Sequence, residues 1–258
     1  MDVTAYLDRI AATRPRGVGA AALRDLHRAH QQAVPFENLS IHLGEQISLA
    51  DDDLIGKIVD RRRGGFCYEL NGAFALLLEA LGYRVVRAAA RVYGDGHLGP
   101  PFDHLVLLVS APDGGGPWLA DVGFGSHSTY PLLFASRDEQ TDPDGRFTLV
   151  DPAEGDVDVF KDGSPEYRIE RRERSLADFG PTCWWQQSSP DSHFTHRTIC
   201  SRIDHGGRIS ISGRTLIRTT GAGRSETPLP TDDEVLSAYR DHFGIVLDRV
   251  PQAPRPTP

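Results

Sequence analysis

RRGGFCYELNGAFALLLEALGYRVVRAAARVY, residues 62 to 93, changes texture partway along. From Tyr68 to Leu81 apolar side chains cover most of a helix surface, and a helix that is apolar nearly all round lies inside its molecule. Gly82 supplies a C-terminal stop. Beyond it, RVVRAAARVY reads as a strand. The stretch divides a helical first part from a stranded second part. It also places a cysteine, Cys67, at the mouth of the buried helix.

Upstream, Ala5 to Ala12 and Ala20 to Gln32 carry apolar residues at spacings of three and four, as amphipathic helices do. Leu49 to Arg62 has Asp51, Asp52 and Asp53 near its start, which suits a helix N-terminus. Downstream, HLVLLVS (104–110), PWLADVGF (117–124), RFTLV (146–150) and EYRIERR (166–172) are short strand-like runs between Gly, Pro and Asp turns. DGGGPW (113–118) reads as a hairpin loop. A further pair, GRISISG (207–213) and RTLIRTT (214–220), precedes the turn-rich GAGRSETPLP (221–230). The helix in TDDEVLSAYRDHFG (231–244) opens on a capping box of Thr231 and Glu234. The tail VPQAPRPTP (250–258) reads as frayed. Helices, then strands, then a mixed segment make the class α+β.

Composition narrows the function. The chain has 258 residues, 39% hydrophobic and 25% charged, with no apolar run long enough for a transmembrane helix. Its start, MDVTAYLDRIAATRPRG, is unlike a signal peptide. Three cysteines (67, 183 and 200) make no disulfide framework, so a cytoplasmic location is expected. A net charge of −8 does not attract nucleic acid or anionic lipid. GVGAAA (17–22) matches a dinucleotide pattern but follows a helix-like segment, and it is set aside. His193, His196, Cys200 and His205 have no zinc-motif spacing, so no metal is expected. Cys183, beside Trp184 and Trp185, reads as packing.

A thiol attacks as thiolate, and a helix N-terminus lowers its pKa. The alternative for Cys67 is a buried structural cysteine. A nucleophile also needs a base and a group to orient that base. His104 opens one apolar strand and Asp121 closes the next. If the two strands are antiparallel neighbours, both residues come out near one edge. The alternatives are a satisfied histidine and a turn-forming aspartate.

VPFENLSIHLG (34–44), RRGGFCYELNG (62–72), FDHLVLLV (102–109) and LADVGFG (119–125) together resemble the arylamine N-acetyltransferases, in that family's order and spacing. The resemblance implies a Cys-His-Asp triad at Cys67, His104 and Asp121 in a papain-like core. It implies a helical bundle over residues 1–83, an antiparallel β-barrel over 84–186 and an α/β lid over 187–258. The implied reaction is ping-pong acetyl transfer from acetyl-CoA to an aromatic amine or hydrazine, with no permanently bound cofactor and a monomer or weak homo-oligomer as the working form. Among the matched positions, Glu37 and Arg63 form an expected ion pair tying two loops. Phe36, Phe124 and Phe194 line an aromatic slot. Gly123 and Gly125 leave room for the pantetheine arm, as Gly64 and Gly65 do for the thioester. The N–H of Tyr68 faces an oxyanion. Two rivals use the same cysteine: an amide synthase releasing a polyketide chain, and a cysteine hydrolase.

Overall fold

The computed structural model describes residues 1–94, 96–112, 114–152, 155–204 and 206–252. Its centre is the helix Cys67–Leu81, which begins one residue before the expected start and ends at Gly82 in the left-handed conformation, φ 99°. Leu70, Phe74, Leu77 and Leu78 are all fully buried. On one side they meet Tyr6, Leu23 and Leu26, from the helices Val3–Arg9 and Ala20–Ala33; on the other they meet Val85, Leu107 and Val109 of the sheet. The near-continuous apolar surface of this helix is therefore used on both faces. The predicted Leu49–Arg62 helix is shorter: an α-helix, Asp51–Ile55, runs on into a π-helical turn, Gly56–Asp60.

The strands after Gly82 form an antiparallel sheet. Its order is Leu132–Leu133, Trp118–Ala120, His104–Ser110, Arg84–Gly94, Ser164–Glu173, Val157–Lys161, Gly145–Val150 and Gln140–Asp142, with His97–Leu98 paired to Arg84–Gly94. The sheet curls until its two end strands meet. There the Gln140 side chain accepts from Leu133 N–H at 2.7 Å and donates to Leu133 C=O at 3.1 Å, bridging the edges of a nearly closed barrel. Val106, Phe147, Val159 and Tyr167 fill the interior. Val157–Lys161 is a strand that the sequence reading did not anticipate.

A second antiparallel sheet runs Phe36–Glu37, Ile199–Asp204, Gly207–Ser212, Thr215–Thr220 and Gly223–Pro228. Its first strand comes from the N-terminal part of the chain. Its last strand occupies the segment expected to be only turns. That strand is exposed throughout and alternates no apolar residues, so it carries no periodic signal. The helix Asp232–Phe243 packs on this sheet through Val235, Tyr239 and Phe243 and has the expected Thr231–Glu234 capping box. The described part of the predicted frayed tail is docked: Gln252 N–H donates to His42 C=O at 3.3 Å and Val250 packs against the same core. Residues 253–258, like Asp113 of the hairpin loop, lie outside the described residues. No helix among the described residues is long and apolar enough to cross a membrane.

The loop carrying the cysteine is anchored from below by charge. Lys57 Nζ donates to Glu69 Oε1 at 2.7 Å with both side chains buried. The other Glu69 oxygen accepts from Phe66 N–H at the helix start. Removing one member of a buried pair leaves the other charged and unpaired. Lys57→Met should therefore lose about 3 to 5 kcal/mol of stability in urea denaturation, and the Lys57→Met/Glu69→Gln double variant should regain part of it. A loss below about 1 kcal/mol for the single variant would contradict a structural role for this pair.

Candidate active site

Cys67 is the first residue of its helix and 3% exposed. It lines a cavity of about 910 Å³ that also takes in His104, Phe36, Phe124 and Phe194. The strand pairing expected from the sequence is present. His104–Ser110 and Trp118–Ala120 are antiparallel neighbours, with Leu107 opposite Ala120 and Val109 opposite Trp118. Asp121 thus leaves its strand beside the start of the other. His104 Nε2–H donates to Asp121 Oδ2 at 2.7 Å, and both side chains are buried. Asp121 stands behind His104, away from the cavity lining. The Cys67 thiol itself points to Asp103 C=O, at 4.0 Å.

Asp121 is held from several directions. Asn71, one turn after Cys67, donates its amide to Asp121 Oδ1 at 2.9 Å and to Leu105 C=O at 2.6 Å, and accepts from Val122 N–H at 3.0 Å. Gly123 N–H donates to Asp121 Oδ1 at 2.9 Å. The Tyr167 hydroxyl bonds to His127 Nε2 at 3.0 Å, and its ring packs 5.2 Å from that of His104. Burial alone would raise the Asp121 pKa; the His104 charge and hydrogen bond, with His127 and Asn71, overcome it and hold the group well below the usual carboxylate range. The ionised Asp121 accepts only, so the His104 proton must sit on Nε2.

The thiol behaves differently from the expectation at its helix mouth. Burial pushes the Cys67 pKa well above its ordinary value, and the nearby Asp103 and Asp121 carboxylates push it further. Desolvation is the largest influence on the thiol here, only partly countered by a backbone hydrogen bond from Leu105.

The expected supporting residues divide into two groups. Phe124 packs edge-on against His104, ring centroids 5.2 Å apart. Phe36 and Phe194 lie 6.1 Å apart, and Gly125 leaves the space beside the Phe36 ring, where a Cβ would sit 3.4 Å from it. Gly123 also lines the cavity, but its missing Cβ matters to the fold: it would lie 2.8 Å from Cys67 Cα. The other group lies behind the site. A Cβ on Gly64 would fall 1.9 Å from Pro35 O, and one on Gly65 would fall 2.7 Å from the Glu69 side chain. The space beside these glycines is filled by the protein itself and is not open to a thioester. The Tyr68 hydroxyl donates to the carbonyls of Phe102 and Asp103, at 2.8 and 3.1 Å.

Glu37 and Arg63 form a buried ion pair at 2.9 Å, to which Glu45 adds a second carboxylate at 3.1 Å. Burial would raise the Glu37 pKa, but Lys57 and Arg63 keep it low. Cys183 is buried beside Phe66 and Tyr68, as packing. Among the described residues no group of three or more His, Cys, Asp or Glu could hold a metal; His205 lies outside them.

Sequence reading missed Asn71, Tyr167 and His27. Asn71 had a signal, a polar residue in an otherwise apolar helix four positions after Cys67. His27 had none: it lies on the Ala20–Ala33 helix, far from Asp121 in sequence, yet its Nε2 accepts from Asp121 N–H at 3.1 Å. His27 Nδ1–H in turn donates to Thr129 C=O at 2.9 Å, so the ring is neutral with its proton on Nδ1.

A cysteine at a helix start and a carboxylate-held histidine share one large cavity within an α+β fold, an arrangement compatible with an acyltransferase. Comparison with known proteins agrees. The family model for N-acetyltransferase matches residues 20–251. The arylamine N-acetyltransferase of Mycobacterium tuberculosis is 34% identical over 95% of this chain and 89% of that protein. The structure of the Mycobacterium smegmatis arylamine N-acetyltransferase superposes with a TM-score of 0.89 at 32% identity, covering 98% of this chain and 97% of that one. That of the Mycobacterium marinum enzyme in complex with CoA gives 0.86 at 33% identity, over 95% and 93%. The chain belongs to the arylamine N-acetyltransferase family and is an acyltransferase.

Burial pulls the His27 pKa from 6.5 down to about 4, against hydrogen bonds to Thr129 and Asp121 that raise it. The unfolded chain therefore binds the proton first as pH falls, and stability present above about 6.5 is lost progressively toward about 4. A shift of that size corresponds to about 3 kcal/mol. Urea denaturation between pH 7 and 4.5 should show this slope, and His27→Gln should be less stable at pH 7 but lose less on acidification. Equal losses in both proteins would contradict the neutral, acceptor role of His27.

Proposed function

We propose that the protein transfers an acetyl group from acetyl-CoA to the nitrogen of aromatic amines or hydrazines through an acetylated Cys67. The observation that carries this reading is the buried 2.7 Å hydrogen bond from His104 to Asp121, beside a cysteine on the wall of a large aromatic cavity. In the first half-reaction His104 Nδ1 takes the Cys67 proton and Sγ attacks the thioester carbonyl carbon. The tetrahedral intermediate collapses, the carbon–sulfur bond to CoA breaks, and the imidazolium returns its proton to the departing thiolate. In the second, an amine nitrogen attacks the acetyl carbon, His104 accepts the amine proton, and the Cys67 thiol is restored. Asp121 fixes the imidazole tautomer and stabilises its cationic form, a Cys-His-Asp core of the papain type.

The cavity supports the substrate class. Phe36, Phe124 and Phe194 offer flat apolar surface to an aromatic ring, and a volume of about 910 Å³ accommodates both a ring and a pantetheine arm. The CoA complex of the mycobacterial relative supports CoA as the donor. A raised thiol pKa fits a thiol that stays protected until a base acts on it.

Incubation with acetyl-CoA alone should add one acetyl group to Cys67 by intact mass and peptide mapping, and Cys67→Ser should stay unmodified. Adding an arylamine or arylhydrazine should remove the group and yield the amide. Asp121→Asn should slow Cys67 acetylation about 10²- to 10⁴-fold while the fold persists. Unmodified wild-type protein after exposure to acetyl-CoA would overturn the reading.

A further inference from the structure

The ring of Phe194 reaches the cavity from a segment with little structure of its own. It sits on the helix His193–His196, four residues long, none of them buried. A helix of one turn makes almost no hydrogen bonds within itself and leaves its last carbonyls without intrahelical partners. Phe194 nevertheless has a defined place. Its ring centroid lies 6.1 Å from that of Phe36 and 5.7 Å from that of Phe66, the latter edge-on. The position of this aromatic wall is set from outside the helix.

Asn38 supplies most of that hold. It follows the Phe36–Glu37 strand, is 1% exposed and lines the same cavity as Cys67 and Phe194. Its amide nitrogen donates to Phe194 C=O at 2.9 Å and to Arg197 C=O at 2.8 Å. Its amide oxygen accepts from Ile199 N–H at 2.8 Å. One buried side chain thus satisfies two carbonyls at the end of the short helix and the first donor of the strand that follows. His42 Nε2–H adds a second bond to Phe194 C=O, at 3.0 Å. At the other end of the helix the Ser192 hydroxyl accepts from Phe194 N–H at 3.3 Å and donates to Gln186 Oε1 at 2.6 Å. The Gln186 amide in turn donates to Asp103 Oδ1 at 2.7 Å. These bonds are separate from the ones His104, Asn71 and Gly123 make to Asp121.

We propose that Asn38 is a positioning residue for the acceptor: it holds Phe194 at the ring-binding wall and so sets the preference for aromatic over non-aromatic amines and hydrazines. A flat substrate ring gains most from an edge or face contact when the wall ring is already fixed, because ordering a mobile side chain on binding costs entropy. The reacting end of acetyl-CoA carries no ring, so acetylation of Cys67 does not depend on this wall. The role in selectivity rests on the acyl-transfer reading; the binding of an aromatic ring against a held Phe194 does not.

The test compares phenylhydrazine with hydrazine, the same nucleophile with and without a ring. Asn38→Ala should lower kcat/KM for phenylhydrazine about tenfold, mainly through KM, and leave that for hydrazine within about threefold. Single-turnover acetylation of Cys67 by acetyl-CoA should also stay within about threefold in Asn38→Ala. Phe194→Leu should show a comparable loss for phenylhydrazine. Adding Asn38→Ala to it should lower the value less than about twofold further, since the tether then has no ring to hold. Calorimetric titration of the unacetylated proteins with 4-chloroaniline should give the same pattern of losses without any turnover. Asn38→Ser, the milder change, carries the same comparisons if the alanine variant folds poorly. Equal loss for phenylhydrazine and hydrazine, or a matching fall in Cys67 acetylation, marks Asn38 as structural and overturns the proposal. So does full additivity with Phe194→Leu, since Asn38 then acts by another route. Failure of the acyl-transfer reading shows separately, as a wild-type Cys67 that acetyl-CoA leaves unmodified, with the titration still deciding whether Asn38 acts through Phe194.

Discussion

The carboxylate of Asp121 sits fully inside the protein, and the arrangement around it depends on keeping it charged there. Burying an anion costs several kcal/mol unless donors surround it. Here the donors come from separate elements: His104 from one strand, Asn71 from the central helix and Gly123 from the following loop. His27 adds a hold on the Asp121 backbone from the N-terminal helices. Helical and stranded parts of the chain thus meet at one group. A change that loosens any of these contacts affects the position of the imidazole as well as the stability of the fold.

The proposed nucleophile sits in the opposite environment. Cys67 shares a cluster with Phe66, Tyr68, Leu105 and Phe179, and this apolar surrounding raises its pKa although it opens a helix. Its loop is held by charges kept clear of the sulfur. Buried Glu37 and Arg63 form one network, with the exposed Glu45 at its edge, and Lys57 with Glu69 another, below the loop. Rigidity therefore comes from ion pairs behind the site, while in the proposed mechanism reactivity depends on the imidazole within it.

Much of this was legible before any coordinates. The unbroken apolar helix after Cys67, the Gly82 stop and the two apolar strands flanking a glycine turn prescribe a buried helix against an antiparallel sheet, with His104 and Asp121 near one edge. The Glu37–Arg63 pair was also visible, although its burial was not. What escaped the sequence depends on contacts between distant segments. Nothing local to His27 shows that its acceptor nitrogen faces Asp121. Gly64 and Gly65 show the same limit. Their lack of side chains was evident, but whether substrate or protein fills the space is decided by Pro35 and Glu69. The exposed Gly223–Pro228 strand was invisible because an edge strand without apolar alternation resembles a turn-rich loop.

The central claim is that His104, and not the helix terminus, makes Cys67 reactive. The rate of Cys67 alkylation by iodoacetamide, followed against pH in the wild type and in His104→Ala, tests it most directly. The account predicts that the wild-type thiol reacts near neutral pH, and that the variant reacts appreciably only above the range of an ordinary thiol, near pH ~8.5. Matching rate–pH profiles in the two proteins would contradict it.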